Sequence, residues 1–262
     1  MEQRRSVSET VLITGGSGGI GLALARLFVE HDHAVVLVAR DAARLAEAAR
    51  ALDPPGTARV TAIAQDLSAP GAADALFRQL DAARIDPTIV VNNAGFGLHG
   101  SFARNSLDRE RAMIQLNVTT LTEITKLALE RMLRRGSGRI LNVASTAAFQ
   151  AGPFMAVYAA TKAFVLSLTE AIANETRGSG VTVTALCPGP TATGFEARAE
   201  LGGARLFKRG VQDADTVARR AYAGLMRGER LVIPGLRNKM LVQVLRVSPR
   251  SSVIEIVRRM QE

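Results

Sequence analysis

Tryptophan is absent from this 262-residue chain, cysteine occurs once, tyrosine twice and histidine three times. Each scarcity excludes something. The lone Cys187 cannot close an intrachain disulfide, which rules out a disulfide-stapled scaffold and fits a reducing compartment. His31, His33 and His99 belong to no Cys/His cluster with zinc-ligand spacing, so no metal centre is expected. No uninterrupted apolar run nears the ~20 residues that span a bilayer. The opening residues Met1-Glu2-Gln3-Arg4-Arg5 are not followed by an apolar stretch of signal-peptide length, and a cytoplasmic location is the expectation.

The shortage of aromatics also bears on charge. A formal net charge of +9 suits nucleic acid or an anionic membrane as partner. The arginines, however, are spread along the whole chain rather than clustered. A dispersed, solvated basic surface is therefore favoured over a dedicated polyanion site, and no nucleic-acid partner is expected.

What is abundant is apolar residues, at 47% of the chain, and they come in alternating blocks. Short, nearly all-apolar runs read as strands buried on both faces: Thr10–Ile13, Ala34–Val38, Arg59–Ala64, Thr88–Val91, Gly138–Val143, Val181–Leu186 and Arg230–Ile233. Longer runs rich in alanine and leucine read as helices: Ile20–His31, Ala42–Leu52, Ala72–Ala83, a long one near Arg109–Arg135, and Ala156–Arg177. This alternation predicts one α/β domain over residues 1–262, a doubly wound parallel sheet of about seven strands with helices on both faces, the Rossmann arrangement. Residues 236–262 form a C-terminal extension of two amphipathic segments split at Pro249.

Between the first strand and first helix lies Thr14-Gly15-Gly16-Ser17-Gly18-Gly19-Ile20-Gly21. Glycines there let the backbone turn tightly and approach a pyrophosphate, whose charge faces the helix N-terminus. Ser17 either assists that loop or caps the helix. No lysine follows the last glycine, which excludes a Walker phosphate loop. The second strand ends at Ala39-Arg40, about 20 residues on, where an acidic residue would bind the ribose hydroxyl of NAD. Ala39 cannot do this. The Arg40 fork suits a 2′-phosphate and favours NADP(H), unless Arg40 is a solvated loop residue or pairs with the adjacent Asp41.

Tyr158-Ala159-Ala160-Thr161-Lys162 sets a phenol and an ammonium four residues apart, on one face of a helix. A phenol titrates near ~10, and a nearby cation is expected to lower that value. So tuned, Tyr158 can give a proton to a carbonyl that receives hydride, or take one from an alcohol. Ser145, just past a strand C-terminus, is placed to hydrogen-bond the developing oxyanion.

With these features in order, the chain resembles the short-chain dehydrogenase/reductase family over nearly its whole length. The matching features are Thr14–Gly21, Asp66-Leu67, Asn92-Asn93-Ala94-Gly95, Asn117, Ser145, Tyr158/Lys162, and Pro188-Gly189 followed by Thr191. The resemblance implies roles. Asp66 and Leu67 would contact the adenine, and Asn93, Ala94 and Gly95 would pack near its ribose. Asn117 would hold a water linking Lys162 to solvent, and Lys162 would bind the nicotinamide ribose. Pro188, Gly189 and Thr191 would border the nicotinamide and phosphates. It also implies a homodimer or homotetramer packed through two long helices. Bacterial reductases with a Ser-Thr-Ala-Ala-Phe stretch, here Ser145–Phe149, are the most similar subgroup.

Phe96, Leu98, Phe149, Phe154, Met155, Phe195, Leu201, Leu206 and Phe207 either surround the crevice or belong to the ordinary core. Lining the crevice, they would suit a small apolar carbonyl or secondary alcohol, with Pro188–Gly210 as a lid. His99 reads as a surface loop residue rather than a lining one, and Cys187 as a small core residue. The basic C-terminal segment could touch an anionic membrane, but packing on the domain or a sister subunit is favoured. Two other functions share these motifs: epimerase or dehydratase chemistry with retained nicotinamide, and a redox sensor that binds NADP(H) without turnover. The Ser145/Tyr158/Lys162 set argues against the sensor.

Overall fold

A computed structural model describes residues 9–53, 57–195, 199 and 211–261. Its main-sheet strands are β1 (Thr10–Thr14), β2 (Ala34–Ala39), β3 (Val60–Ala64), β4 (Ile89–Asn92), β5 (Gly138–Val143), β6 (Val181–Leu186) and β9 (Leu231–Val232). They pair in the order β3-β2-β1-β4-β5-β6-β9, and every pairing is parallel. Two short strands, β7 (Thr191–Ala192) and β8 (Gln212–Asp213), form a separate pair.

Apolar burial on both faces dictates the layers. Val11 and Ile13 point to one side of the sheet, where α1 (Gly19–Glu30), α2 (Ala42–Leu52) and α7 (Ala214–Met226) close over them. Leu12 and Val90 point to the other side, under α3 (Ala72–Ala82), α5 (Leu121–Arg135) and α6 (Ala156–Glu175). The strand order reverses between β1 and β4, which both neighbour each other and lead outward in opposite directions. In an open parallel sheet that reversal opens a crevice at the strand C-termini, where ligands bind.

Three features depart from the sequence reading. β3 is an edge strand, and three of its five residues are exposed, so it is not buried on both faces. The long helix near Arg109–Arg135 is α4 (Leu107–Ile114) and α5 joined by six residues, Gln115–Thr120, wound in wider turns. The helix α7 has no counterpart among the sequence candidates. Its signals are nonetheless local: Asp213 caps it by accepting the Thr216 N–H at 2.7 Å, and Val217, Ala218, Ala221 and Leu225 recur at helical spacing on its buried side.

By length and composition α6 is apolar enough to cross a membrane. It lies instead against β5 and β6, with Thr161, Lys162 and Thr169 buried among apolar neighbours. The C-terminal extension forms α8 (Leu236–Val247) and α9 (Arg250–Gln261), broken at Ser248-Pro249. One face of each packs on the domain, through Val242 on α8 and Val253 and Val257 on α9.

Candidate active site

The glycine loop is fixed from below before it can meet any ligand. Thr14 Oγ1 accepts the backbone N–H groups of Asn93 and Ala94, both at 3.0 Å. Asn93 Nδ2 donates back to the carbonyl oxygens of Thr14 and Gly15, at 2.9 and 3.2 Å. This cross-tie leaves no room for side chains. A Cβ at Gly15 would lie 2.7 Å from Asn93 Nδ2, and Gly15 itself has a φ of +68°. Gly21 faces the same constraint, with Asn93 Nδ2 and the Gly15 oxygen both 2.5 Å from the position of a Cβ. Gly21 thus serves packing between loop and sheet.

A cleft of about 590 Å³ runs from this loop across the sheet's C-terminal edge to the C-terminal helices. It brings together Gly15, Ser17, Gly18, Gly19, Ile20, Arg40, Asp66, Leu67, Asn93, Ala94, Gly95, Ser145, Tyr158, Lys162, Pro188, Gly189 and Thr191. Of the anticipated catalytic and cofactor-binding residues, only Gly21 and Asn117 do not line it. Asn117 sits in the wide-turn segment, fully buried behind the wall. Its amide brackets Phe96: Oδ1 accepts the Phe96 N–H at 3.2 Å, while Nδ2 donates to the Phe96 carbonyl at 2.9 Å and to Thr161 Oγ1 at 3.1 Å. It therefore ties the Gly95-Phe96 loop to α6 beside Lys162.

Two arginines, Arg40 and Arg44, line the cleft. Arg40 lies close enough to Asp66 to help hold that carboxyl below its usual range, after the larger effect of two hydrogen bonds from Ser68. Arg44, one helical turn later, lies 3.5 Å from where a Gly18 Cβ would stand. Asp41 is engaged as the cap of α2, accepting the Arg44 N–H at 3.0 Å. The sequence reading missed Arg44, although its i+4 spacing from Arg40 at a helix start was visible.

Around the phenol, burial dominates. Ser145 lies near enough to the Tyr158 hydroxyl to act on its titration, and Ser145 Oγ accepts the Ala147 N–H at 3.1 Å. Lys162 Nζ donates to the Val143 carbonyl oxygen at 2.8 Å and lies 5.8 Å from the Tyr158 ring centre. Loss of water pushes the Tyr158 pKa up to about 12, against a smaller lowering by Ser145. The same loss pushes Lys162 down to about 8. The lowering of Tyr158 anticipated from its lysine neighbour is thus outweighed by burial, which raises it. The ammonium is turned toward a backbone oxygen, and desolvation of the phenolate outweighs its attraction.

The apolar end of the cleft differs in its membership from the sequence reading. Phe96, Met155 and Phe195 line it, whereas Leu98, Phe149 and Phe154 do not. Leu98 is buried in the core, Phe149 packs beside Ala144 and Val165, and Phe154 packs against His99 and the Arg258 guanidinium. Leu201, Leu206 and Phe207, and most of the lid segment, lie outside the described residues. In place of the missing phenylalanines, α8 and α9 contribute Leu241, Val244, Leu245, Ile256 and Met260. Asn238 anchors α8 by donating to the Pro234 carbonyl at 2.8 Å, and packs directly on Gly189. No motif in the sequence marks these residues, because only the chain's return across the sheet edge brings them to the cleft.

Comparison with known proteins agrees with this geometry. The ketoacyl reductase HetN of Nostoc sp. is 35% identical over 181 residues, which cover 69% of this chain but only 63% of that protein. A short-chain dehydrogenase from Sphingobium yanoikuyae, solved in complex with NADPH, superposes with a TM-score of 0.80 at 34% identity, covering 97% of this chain and 98% of that one. A 7β-hydroxysteroid dehydrogenase superposes with a TM-score of 0.86 at 26% identity, covering 98% and 99%. The short chain dehydrogenase family profile matches residues 9–202, taking in the glycine loop, Ser145, Tyr158 and Lys162. The matched residues hold the parallel sheet reversing beside β1, the glycine loop there and the phenol–lysine pair on α6, and the chain belongs to the short chain dehydrogenase family of oxidoreductases.

Proposed function

We propose that this oxidoreductase reduces an apolar ketone to a secondary alcohol at the expense of NADPH, with Tyr158 as proton donor. The observation that carries the proposal is the continuity of the cleft: one cavity joins the glycine loop, the Ser145–Tyr158–Lys162 cluster and the apolar wall of α8 and α9.

The chain fits a dinucleotide. Gly15 and Gly19 both adopt left-handed φ, +68° and +56°, which leaves their backbone open toward the cleft. Arg40 and Arg44 supply two guanidinium groups at the end where a 2′-phosphate would lie, and Ala39 supplies no competing carboxylate. The NADPH bound by the Sphingobium relative supports the same preference. When bound, NADPH supplies the hydride.

The remaining chemistry belongs to side chains. A carbonyl oxygen placed between Ser145 and Tyr158 receives two hydrogen bonds. The Ala147 N–H occupies a lone pair of Ser145 Oγ and so orients its hydrogen toward the cleft. A pKa near 12 keeps Tyr158 protonated at neutral pH, the state a donor requires and a base does not. The Lys162 ammonium, held by Val143, then balances the phenolate left behind.

The apolar wall favours a bulky, water-poor substrate, in keeping with the hydroxysteroid and ketoacyl activities named for two relatives. Subunits pair through α4, the wide-turn segment and α6, where Ile114, Val118, Val157 and Ala160 line a bare apolar groove. The test is NADPH consumption against bulky hydrophobic ketones, 3-oxoacyl thioesters and small polar carbonyls. Turnover confined to small polar carbonyls would sink the substrate class. Product formation without net NADPH loss would instead mark an epimerase or dehydratase with retained nicotinamide.

A further inference from the structure

α8 turns three faces to three surroundings. Val242 is fully buried against the domain, and Leu241, Val244 and Leu245 line the cleft. The third face is bare. Leu236, Met240 and Val247 are 74%, 61% and 85% exposed, with Val244 at 56% on the border between this face and the cleft. Spacings of four, four and three residues put all four side chains on one stripe three turns long. Exposed Arg237 stands on one flank of the stripe and exposed Lys239 on the other, with exposed Arg246 beyond Lys239, its guanidinium 6.0 Å from the Phe149 ring centre. No acidic residue occurs between Pro234 and Ile254.

We propose that this face of α8 docks on an anionic phospholipid surface, with the apolar cleft wall continuing into the lipid-facing stripe through Leu241 and Val244. An apolar stripe flanked by cations is how a helix lies in a bilayer interface, with apolar side chains among the acyl chains and cations among the headgroups. Charge decides between this occupant and a second copy of the chain. A two-fold contact through α8 would bring the cations Arg237, Lys239 and Arg246 of one copy up to the same set on the other, and no carboxylate on the helix would relieve them. Phosphate headgroups meet the same cations with opposite charge. The docking does not depend on which carbonyl the cleft reduces.

The test is flotation of the full chain with vesicles of phosphatidylglycerol in phosphatidylcholine, against pure phosphatidylcholine. The wild type floats with the anionic vesicles only. Met240→Glu/Val247→Glu loses at least about tenfold in vesicle affinity, and Lys239→Gln/Arg246→Gln loses about fivefold per charge removed. Thermal unfolding midpoints close to wild type establish that the variants are folded. Because the chain has no tryptophan, Val247→Trp adds a single indole, excited apart from the two tyrosines, whose emission shifts to the blue on anionic vesicles. The proposal fails if the wild type does not float, if the double-glutamate variant floats equally, or if Val247→Trp emission is unmoved. It fails equally if Met240→Glu/Val247→Glu lowers the subunit count measured by light scattering without lipid, since the stripe would then be a subunit interface.

Discussion

Lys162 Nζ donates to the backbone oxygen of Val143 at 2.8 Å, so the cation of the site is tethered to the end of β5 rather than to the phenol it serves. Burial lowers its pKa to about 8, within reach of ordinary assay conditions. The kcat/KM for NADPH should therefore fall as pH rises through about 8, when the ammonium is lost from the free enzyme. Lys162→Arg, whose guanidinium stays charged, should move that limb upward. A flat profile up to pH 10 would show that Lys162 keeps its proton.

The same shift has a consequence for stability. The folded pKa lies below that of the unfolded chain, so between about 8 and 10.5 the unfolded state binds more protons. Wild-type stability should thus rise with pH in that window relative to Lys162→Met, by at most about 1.4 kcal/mol per pH unit. Urea titrations of both proteins across the window measure the difference. An unchanged gap would contradict the burial of a charged Lys162.

Tyr158→Phe removes one oxygen from the half-buried cleft wall and leaves the ring's packing on Phe195, whose centroid is 5.3 Å away. Turnover should drop about 10²- to 10⁴-fold, the usual worth of a positioned proton donor. NADPH affinity, read by fluorescence titration, should stay within about twofold. A variant that turns over normally would remove Tyr158 from the chemistry.

Arg40→Ala and Arg44→Ala should each weaken NADPH by roughly 10- to 100-fold, the worth of a charge-assisted hydrogen bond, and leave NADH nearly unchanged. Losing both residues should reverse the preference. Equal losses for the two cofactors would mean that neither arginine reads the extra phosphate.

Gly97 marks the substrate side of the phenol. A Cβ there would come within 2.8 Å of Phe195 Cζ, 3.1 Å of Tyr158 Cδ2 and 3.2 Å of Met155 Cε. Gly97→Ala should raise KM for bulky ketones about tenfold, a modest overpacking cost, without altering NADPH affinity. Calorimetry for the cofactor and steady-state kinetics for the ketone separate the two effects.

Local patterns were legible in the sequence because local physics makes them. Buried strands need apolar runs, a phosphate loop needs glycines, and a phenol and an ammonium four residues apart share a helix face. Those rules anticipated the sheet, most helices, the glycine loop, Arg40, Ser145, Tyr158 and Lys162, while Asp66, Leu67, Asn93, Ala94, Gly95, Pro188, Gly189 and Thr191 came from the family resemblance. They failed where neighbours are distant in sequence. Phe149 and Phe154 stand beside the site along the chain, yet pack elsewhere, while Leu241 and Ile256 reach it from the far terminus. The Tyr158 pKa escaped for a related reason: helix spacing reveals the nearby charge but not the water excluded around it.

The wider turns at Gln115–Thr120 put α4 and α5 out of phase. Deleting one residue there would splice them into an even rod, but would also swing one half by about 100° relative to the other. Either Thr125 would leave Asn92, whose amide it receives at 3.0 Å, or Met113 would rotate out of its pocket. Surface loops elsewhere can gain or lose residues with little effect. This stretch has a fixed count, and Asn117 keeps its hold on Phe96 only while that count stands.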